Sequence, residues 1–574
     1  MKKIFTNLSL LVTRRLLLTA VLPFLCLVAM MAQPNNMSIN QDISAAQSNT
    51  SMTLKGGVYQ ARFLEVTAKA AGVGLWQFNS DSYSNVWGAT TPSTLSGFNT
   101  IIPPSGSTAS ANWVVGGYNQ NGKLAATLAG SYYTYNITKG SSYSSQNMAI
   151  LQTTYSPNAL AVTHTAGTTT VTLAAVLAAG EYLYVRSSTD NFNTSSISQV
   201  AMSGTSGTFG LLNGTCSYYF YSSNQSITTI ASSVATYGQG AHDLLMLNVA
   251  NNAGSNYAAS AVSLPVQVTS TTGTASLFYA TLSNALNGIN FGVHSGVVTV
   301  SVLGNTTESA AAILNASTVS TGSVASSYTS LSVKPSGGAA RTITGSISTA
   351  LVDLLGADNV TIDGLNTGGN TLTISNTSTT ATATIRLYSD ATGNTVQNCT
   401  ILGGALNSSG GTVFIGAAGA TGGAASTGND NNLITLNNIG PVNATTTTAY
   451  NGIYAASGGT SFNDAVTISN NNIYDYYGGT TPSGVLISAG NSNWTISGNS
   501  IYQTIARAGV TGALVYGINC GATNNAVAMI ISGNYIGGSG VLATGTLTIN
   551  GTAATTRFVL ARFTSRDRFR SGQF

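Results

Sequence analysis

The chain reads as an all-β protein whose C-terminal half is a parallel β-helix, preceded by β-sandwich-like modules. Three observations lead there. The pattern I-x-x-N-x-I recurs five times with small variation, as Val396-Gln-Asn-Cys-Thr-Ile401, Ile434-Thr-Leu-Asn-Asn-Ile439, Ile468-Ser-Asn-Asn-Asn-Ile473, Ile496-Ser-Gly-Asn-Ser-Ile501 and Ile531-Ser-Gly-Asn-Tyr-Ile536, with first residues 38, 34, 28 and 35 apart. A second short apolar strand precedes each copy: Ile385-Arg-Leu387, Val413-Phe-Ile415, Ile453-Tyr454, Val485-Leu-Ile487 and Ile518-Asn519. Charged residues make up only 6% of the chain against 43% apolar, where ordinary soluble proteins carry roughly 25% charge. Fixed strands with variable loops mean a solenoid or a propeller. Units as short as 28 residues, without two-residue hairpin signals at fixed offsets, favour the helix over a four-stranded blade of about 40 residues.

Taken in order, residues 1–32 have a basic start and an apolar run from Leu16 to Ala32. This is the pattern of a secretory signal peptide cut after Ala32; an uncleaved anchor is the rival, at the short limit for a span. The formal charge of +4 comes from the two ends, since between Gln33 and Thr556 there are 10 basic and 14 acidic residues. Such a body carries no nucleic-acid footprint. Three cysteines follow the leader (Cys216, Cys399, Cys520). An odd number excludes a fully paired framework and leaves free thiols or one bridge.

Residues 33–155 alternate short apolar runs with Gly, Ser and Asn clusters, as in Tyr59-Gln-Ala-Arg-Phe-Leu-Glu-Val66, and so predict a sandwich-like β domain. Its aromatics Trp76, Phe78, Tyr83, Trp87 and Trp113 suit a sandwich core or a sugar-stacking surface. Residues 156–270 contain Thr169-Thr-Val-Thr-Leu173, Glu181-Tyr-Leu-Tyr-Val-Arg-Ser-Ser-Thr-Asp190 and Cys216-Ser-Tyr-Tyr-Phe-Tyr-Ser222. A strand ending in an Arg-x-x-Thr-Asp turn and followed by a Tyr-Tyr strand resembles the immunoglobulin-like modules of secreted bacterial proteins. Residues 271–556 open on Leu277-Phe-Tyr-Ala-Thr-Leu-Ser-Asn-Ala-Leu-Asn-Gly-Ile289. Tyr279, Leu282, Leu286 and Ile289 there recur at helical spacing and predict a helix sealing the first coil.

That helix, the strand Val297-Val-Thr-Val-Ser-Val-Leu303, and the runs Asp358-Asn-Val-Thr-Ile-Asp-Gly-Leu365 and Asn394-Thr-Val-Gln-Asn-Cys-Thr-Ile401 together resemble the right-handed parallel β-helix, pectin-lyase-like proteins secreted by Bacteroidota-type bacteria. The resemblance implies a fold. It implies no single activity, because the scaffold carries lyases, hydrolases, epimerases and adhesive stalks alike.

In such a helix the terminal Ile residues of the repeat fill interior columns, and the Asn stands where the chain bends. Asn437, Asn471, Asn499 and Asn534 hold this position, with Cys399 replacing it in an earlier coil. Stacked amides there predict a hydrogen-bonded ladder like those of cross-β stacks; the bland alternative is a surface turn residue, which also tolerates left-handed backbone.

Chemistry is sparse. From Thr342 to Thr556 there is no Lys, Glu or His; the charged residues are Asp353, Asp358, Asp363, Arg386, Asp390, Asp430, Asp464, Asp475 and Arg507. Inverting glycosidases need paired carboxylates, and no two aspartates share an obvious register in the sequence. Arg386 with Asp390 is the one catalytic candidate pair, and a surface ion pair is its plainer reading. No metal motif is visible, and calcium enters only under a polysaccharide-lyase reading. Tyr474, Tyr476, Trp494 and Tyr502, on or beside the repeat strands, are the candidate binding residues: aromatic faces amid amides and hydroxyls suit neutral glycans, or packing beneath a loop. A strict Thr-x-Thr column that would suggest ice binding is not visible. Residues 557–574 turn abruptly basic, which reads as a truncated or frame-shifted end, with an anchoring tail as the alternative.

The expectation is a secreted or cell-surface modular protein whose β-helix is a stalk or a glycan-binding platform. It needs no cofactor, its partner is an extracellular glycan or surface, and its only membrane relation is export. The alternative is a carbohydrate-active enzyme, a polysaccharide lyase or glycoside hydrolase, on the same scaffold.

Overall fold

The computed structural model describes residues 37–258 in pieces and residues 264–563 apart from 320, 322–323, 417–426, 458–460, 521–528 and 551–555. The leader, Tyr83, Trp113, Cys216, the Asp190-Asn191 turn and residues 564–574 lie outside the described residues.

The front half is antiparallel. Two sheets of six and five strands come first, followed by two of four strands each. Val58–Leu64 and Met148–Thr153 flank Tyr132–Thr138, and alternate side chains of that central strand, Tyr133, Tyr135 and Ile137, are fully buried in the first core. In the second module, Tyr182–Ser188 pairs with Ser217–Ser223. Its other face joins Val58, Ala149 and Leu151 of the first module in a shared core with Tyr184 and Tyr221. A buried polar lock lies nearby. Arg186 pairs with Asp243 at 2.9 Å and donates to the Tyr219 hydroxyl at 2.7 Å. Asn136 donates to the carbonyls of Leu244 and Met246 at 2.8 and 2.6 Å.

The β-helix begins with an antiparallel hairpin, Val266–Gly273 and Ser276–Tyr279, followed by the helix Leu282–Asn290. The helix starts later than the spacing suggests. Tyr279 belongs to the hairpin, and its hydroxyl meets His294 Nε2 at 2.9 Å. Thr281 is the N-cap, accepting from the Asn284 N–H at 3.1 Å. The Glu308 carboxylate accepts the N–H groups of Leu282 and Ser283 at 3.0 and 2.9 Å. These are the donors a helix leaves unpaired, and an anion beside them also meets the positive end of the helix dipole. Leu282, Ala285, Leu286 and Ile289 then face the interior and seal the first coil.

Three parallel stacks follow. Sheet 1 runs from His294–Val302 to Ile530–Ser532, sheet 2 from Thr306–Glu308 to Tyr535–Ile536, and sheet 3 from Ala312–Asn315 to Arg557–Phe563, each with eight parallel strands. The I-x-x-N-x-I repeat is two strands, one in sheet 1 and one in sheet 2, and the apolar run ahead of it lies in sheet 3. Val396, Ile434, Ile468, Ile496 and Ile531 are register partners along sheet 1. Ile401, Ile439, Ile473, Ile501 and Ile536 are partners along sheet 2. Ile385, Val413, Ile453, Val485 and Ile518 form the column of sheet 3. Each fully buried aliphatic side chain contributes roughly 1.5–3 kcal/mol, an upper estimate because the unfolded chain is already partly collapsed. The basic stretch after Thr556 begins as a strand: Arg557–Phe563 pairs with Leu514–Cys520, and Phe558, Ala561 and Phe563 pack on the core.

Candidate functional site

The repeat asparagines form a continuous internal ladder. Nδ2 of Asn437 donates to Oδ1 of Asn471 at 3.1 Å, Asn471 to Asn499 at 3.0 Å, and Asn499 to Asn534 at 2.9 Å. The backbone N–H of each of the three donates to the same next oxygen, at 3.0 Å throughout. The second amide hydrogen returns to a carbonyl of the preceding coil, Val396, Ile434, Ile468 and Ile496 in turn. Cys399 starts the row; its N–H donates to Asn437 Oδ1 at 2.9 Å, and burial pushes its thiol far above the usual range.

A second ladder escapes the repeat pattern. Asn429 Nδ2 donates to Asn463 Oδ1 at 2.8 Å and Asn463 to Asn491 at 2.9 Å, all three fully buried. Each lies five residues ahead of the first Ile of its repeat, a constant offset that extends the motif. These ladders satisfy buried amides and hold the bends. They are scaffold.

Each catalytic candidate holds structural partners in the coils. Arg386 grips Asp353, its register partner on the preceding coil, through Nε–Oδ1 at 2.9 Å and Nη2–Oδ2 at 2.5 Å. Its guanidinium lies 4.5 Å from the centre of the Tyr388 ring. Asp390, with φ of 67°, accepts the N–H groups of Gly428 and Thr427 at 2.8 and 3.1 Å. One aspartate pair does share a register, contrary to the sequence reading: Asp430 accepts the N–H of Asp464 one coil on, at 2.8 Å. Asp358 similarly accepts the Thr392 N–H at 2.7 Å. Burial pushes Asp358 and Asp430 above the usual carboxylate range, and neighbouring carboxylates add to it, Asp390 for both and Asp464 for Asp430. These carboxylates cap turns. Among the described residues no group of three His, Cys, Asp or Glu side chains is placed to hold a metal ion.

Two of the four aromatic binding candidates face inward. Trp494 is fully buried, its indole donating to the Asn463 carbonyl at 2.9 Å, and Tyr476 is 1% exposed. By register, Trp494 continues an interior column through Asn394, Asn432 and Val466, so it has no face for a ligand. Tyr474 and Tyr502 stack on the outside of sheet 2, ring centres 5.7 Å apart. Tyr502 is 9% exposed, and Tyr474 covers Gly440, where a Cβ would lie 2.4 Å from the ring. On the outside of sheet 1, Thr361 and Thr395 share a register column with Thr467 and Thr495, interrupted by Leu433 and ended by Ile530.

Among the described residues the coils form a cleft of about 490 Å³ where the loops joining sheets 2 and 3 lengthen in consecutive coils. Tyr477 lies in its wall, its hydroxyl donating to the Ala508 carbonyl at 2.8 Å. Arg507 lies 5.4 Å from the Tyr477 ring centre. Its guanidinium is engaged on every side, by Asp475 Oδ1 at 2.5 Å, Gln503 Oε1 at 2.8 Å and the Ala444 carbonyl at 2.6 Å. Both ionic partners are buried, so the pair acts as a strut. Thr445, Thr448 and Thr480, with Gly478 and Gly479, complete a neutral wall of hydroxyls and backbone. Comparison with protein-family models, curated proteins and solved structures finds no match to the chain.

Proposed function

We propose that this is an exported β-helical protein that binds neutral glycan in the Tyr477 cleft, its front modules setting the helix away from the point of attachment. The observation that carries the reading is the cleft itself. Its wall holds an aromatic ring braced from behind, several threonine hydroxyls, and one charged side chain already neutralised by Asp475. A sugar ring presents an apolar face and a rim of hydroxyls, which a neutral wall of this kind matches. Recognition by uncharged hydrogen bonds and ring contact favours a neutral over a uronate polymer, because a uronate carboxylate finds no free cation there. The sequence resemblance to pectin-lyase-like β-helices, the immunoglobulin-like strand pattern and the leader support export of a protein of the Bacteroidota type.

Affinity electrophoresis of the full chain through gels containing neutral or uronate polysaccharide tests the site. Retardation by a neutral polymer is expected, with Tyr477→Ala weakening it at least about tenfold, equivalent to about 1.4 kcal/mol. Tyr535→Ala, an exposed tyrosine outside the cleft, is expected to leave it unchanged. Full retardation of Tyr477→Ala places binding elsewhere.

A further inference from the structure

A second concavity lies where the second module meets the start of the β-helix. It measures about 330 Å³ and is framed by the strand Ser196–Gln199, the helix Ile227–Tyr237 and the first turn of the β-helix around Phe291. Ile197, Ile227, Phe291 and Val324 form most of its apolar wall, and Thr228 and Ser295 place hydroxyl-bearing side chains there. None of its lining residues is Asp, Glu, Lys, Arg or His.

The floor is close-packed backbone. Gly273 and Gly292 both have positive φ, and a Cβ at either would lie 2.6 or 2.7 Å from a backbone oxygen, so both positions call for glycine. Pockets of this size, mostly apolar, with few polar groups and at a domain boundary, are where small molecules bind.

We propose that this junction is a binding site for a small, uncharged molecule with a ring-sized apolar body and one hydrogen-bonding group. The site is separate from the glycan cleft and stands independently of it. The ligand's neutrality follows from the uncharged wall, and its size from the volume. Because the walls come from both modules, an occupant fixes the second module against the β-helix.

The test uses the full chain, with phenol and cyclohexanol as neutral probes and benzoate as the charged control, followed by ligand-detected NMR titration. Ala231→Trp closes the site at its exposed mouth without altering a core. Saturable binding of a neutral probe is expected, weakened at least about tenfold by Ala231→Trp, with benzoate failing to compete. Absence of saturable binding by both neutral probes, equal binding in Ala231→Trp, or equal competition by benzoate would each overturn the proposal.

Discussion

Replacing Asn471 by Ala is expected to destabilise the β-helix far more than replacing its neighbour Asn472. The Asn471 side chain accepts from both the N–H and Nδ2 of Asn437 and donates to Asn499 Oδ1 and the Ile434 carbonyl. Truncation leaves two donors on Asn437, its N–H and one amide hydrogen, without partners. Asn499 Oδ1 keeps the backbone N–H of residue 471. Two buried donors at about 1–3 kcal/mol each, less what local collapse or an entering water recovers, give a cost of about 2–4 kcal/mol. The Asn472 amide makes one partly buried bond, to Asn438 Oδ1 at 2.8 Å, and its loss is expected to cost about 1 kcal/mol or less. The assay is denaturant unfolding of the full chain followed by tryptophan fluorescence, using the component of Trp494, which is buried in the coils. A chain with several modules need not unfold in one step, so the comparison is between midpoints of that transition. Equal shifts for the two variants would refute the internal ladder as a source of stability.

Other outcomes follow from the buried charges. Burial raises Glu181 from 4.5 to about 7, partly offset by the positive charge of Arg62, and neither carboxylate oxygen has a hydrogen-bond partner. The folded chain therefore holds a proton that the unfolded chain releases between these values. Stability falls as pH rises through that window, by at most about 3 kcal/mol, and a Glu181→Gln variant is expected to flatten this part of the pH–stability profile; an unchanged slope would exclude the mechanism. Arg386→Ala strands Asp353, which is 4% exposed, and is expected to cost about 3 kcal/mol in thermal unfolding while leaving glycan retardation intact at low temperature. A loss of retardation by the folded variant would move the site to sheet 3.

The three strand columns were legible because the coil repeats in one dimension and keeps an Ile or Val at each inward position. The first ladder was legible for the same reason, through a single invariant offset. Asn429, Asn463 and Asn491 were lost in a chain rich in asparagine, although their spacing from the next Ile is constant. The earliest coils were harder: Leu331–Val333 and Val360–Ile362 fill the same columns, but no asparagine marks their bend. Trp494 and Tyr476 were misplaced because a position beside a strand reverses its facing with a one-residue change of register. Tyr279 matched the helical spacing of Leu282 and Leu286, yet Thr281 caps the helix after it. The Tyr477 cleft had no sequence signature, since it needs Ala444, Tyr477 and Arg507 from loops of unequal length on different coils. Its ionic strut is a product of stacking.

The central claim is that these coils hold neutral glycan and leave it intact. The most direct measurement incubates the full chain with neutral and uronate polysaccharides, with and without calcium, and follows bound polymer, reducing ends and unsaturated products together. The account predicts retention of a neutral polymer with no new reducing ends and no unsaturated product. Turnover of any of these polymers, with or without calcium, would contradict it.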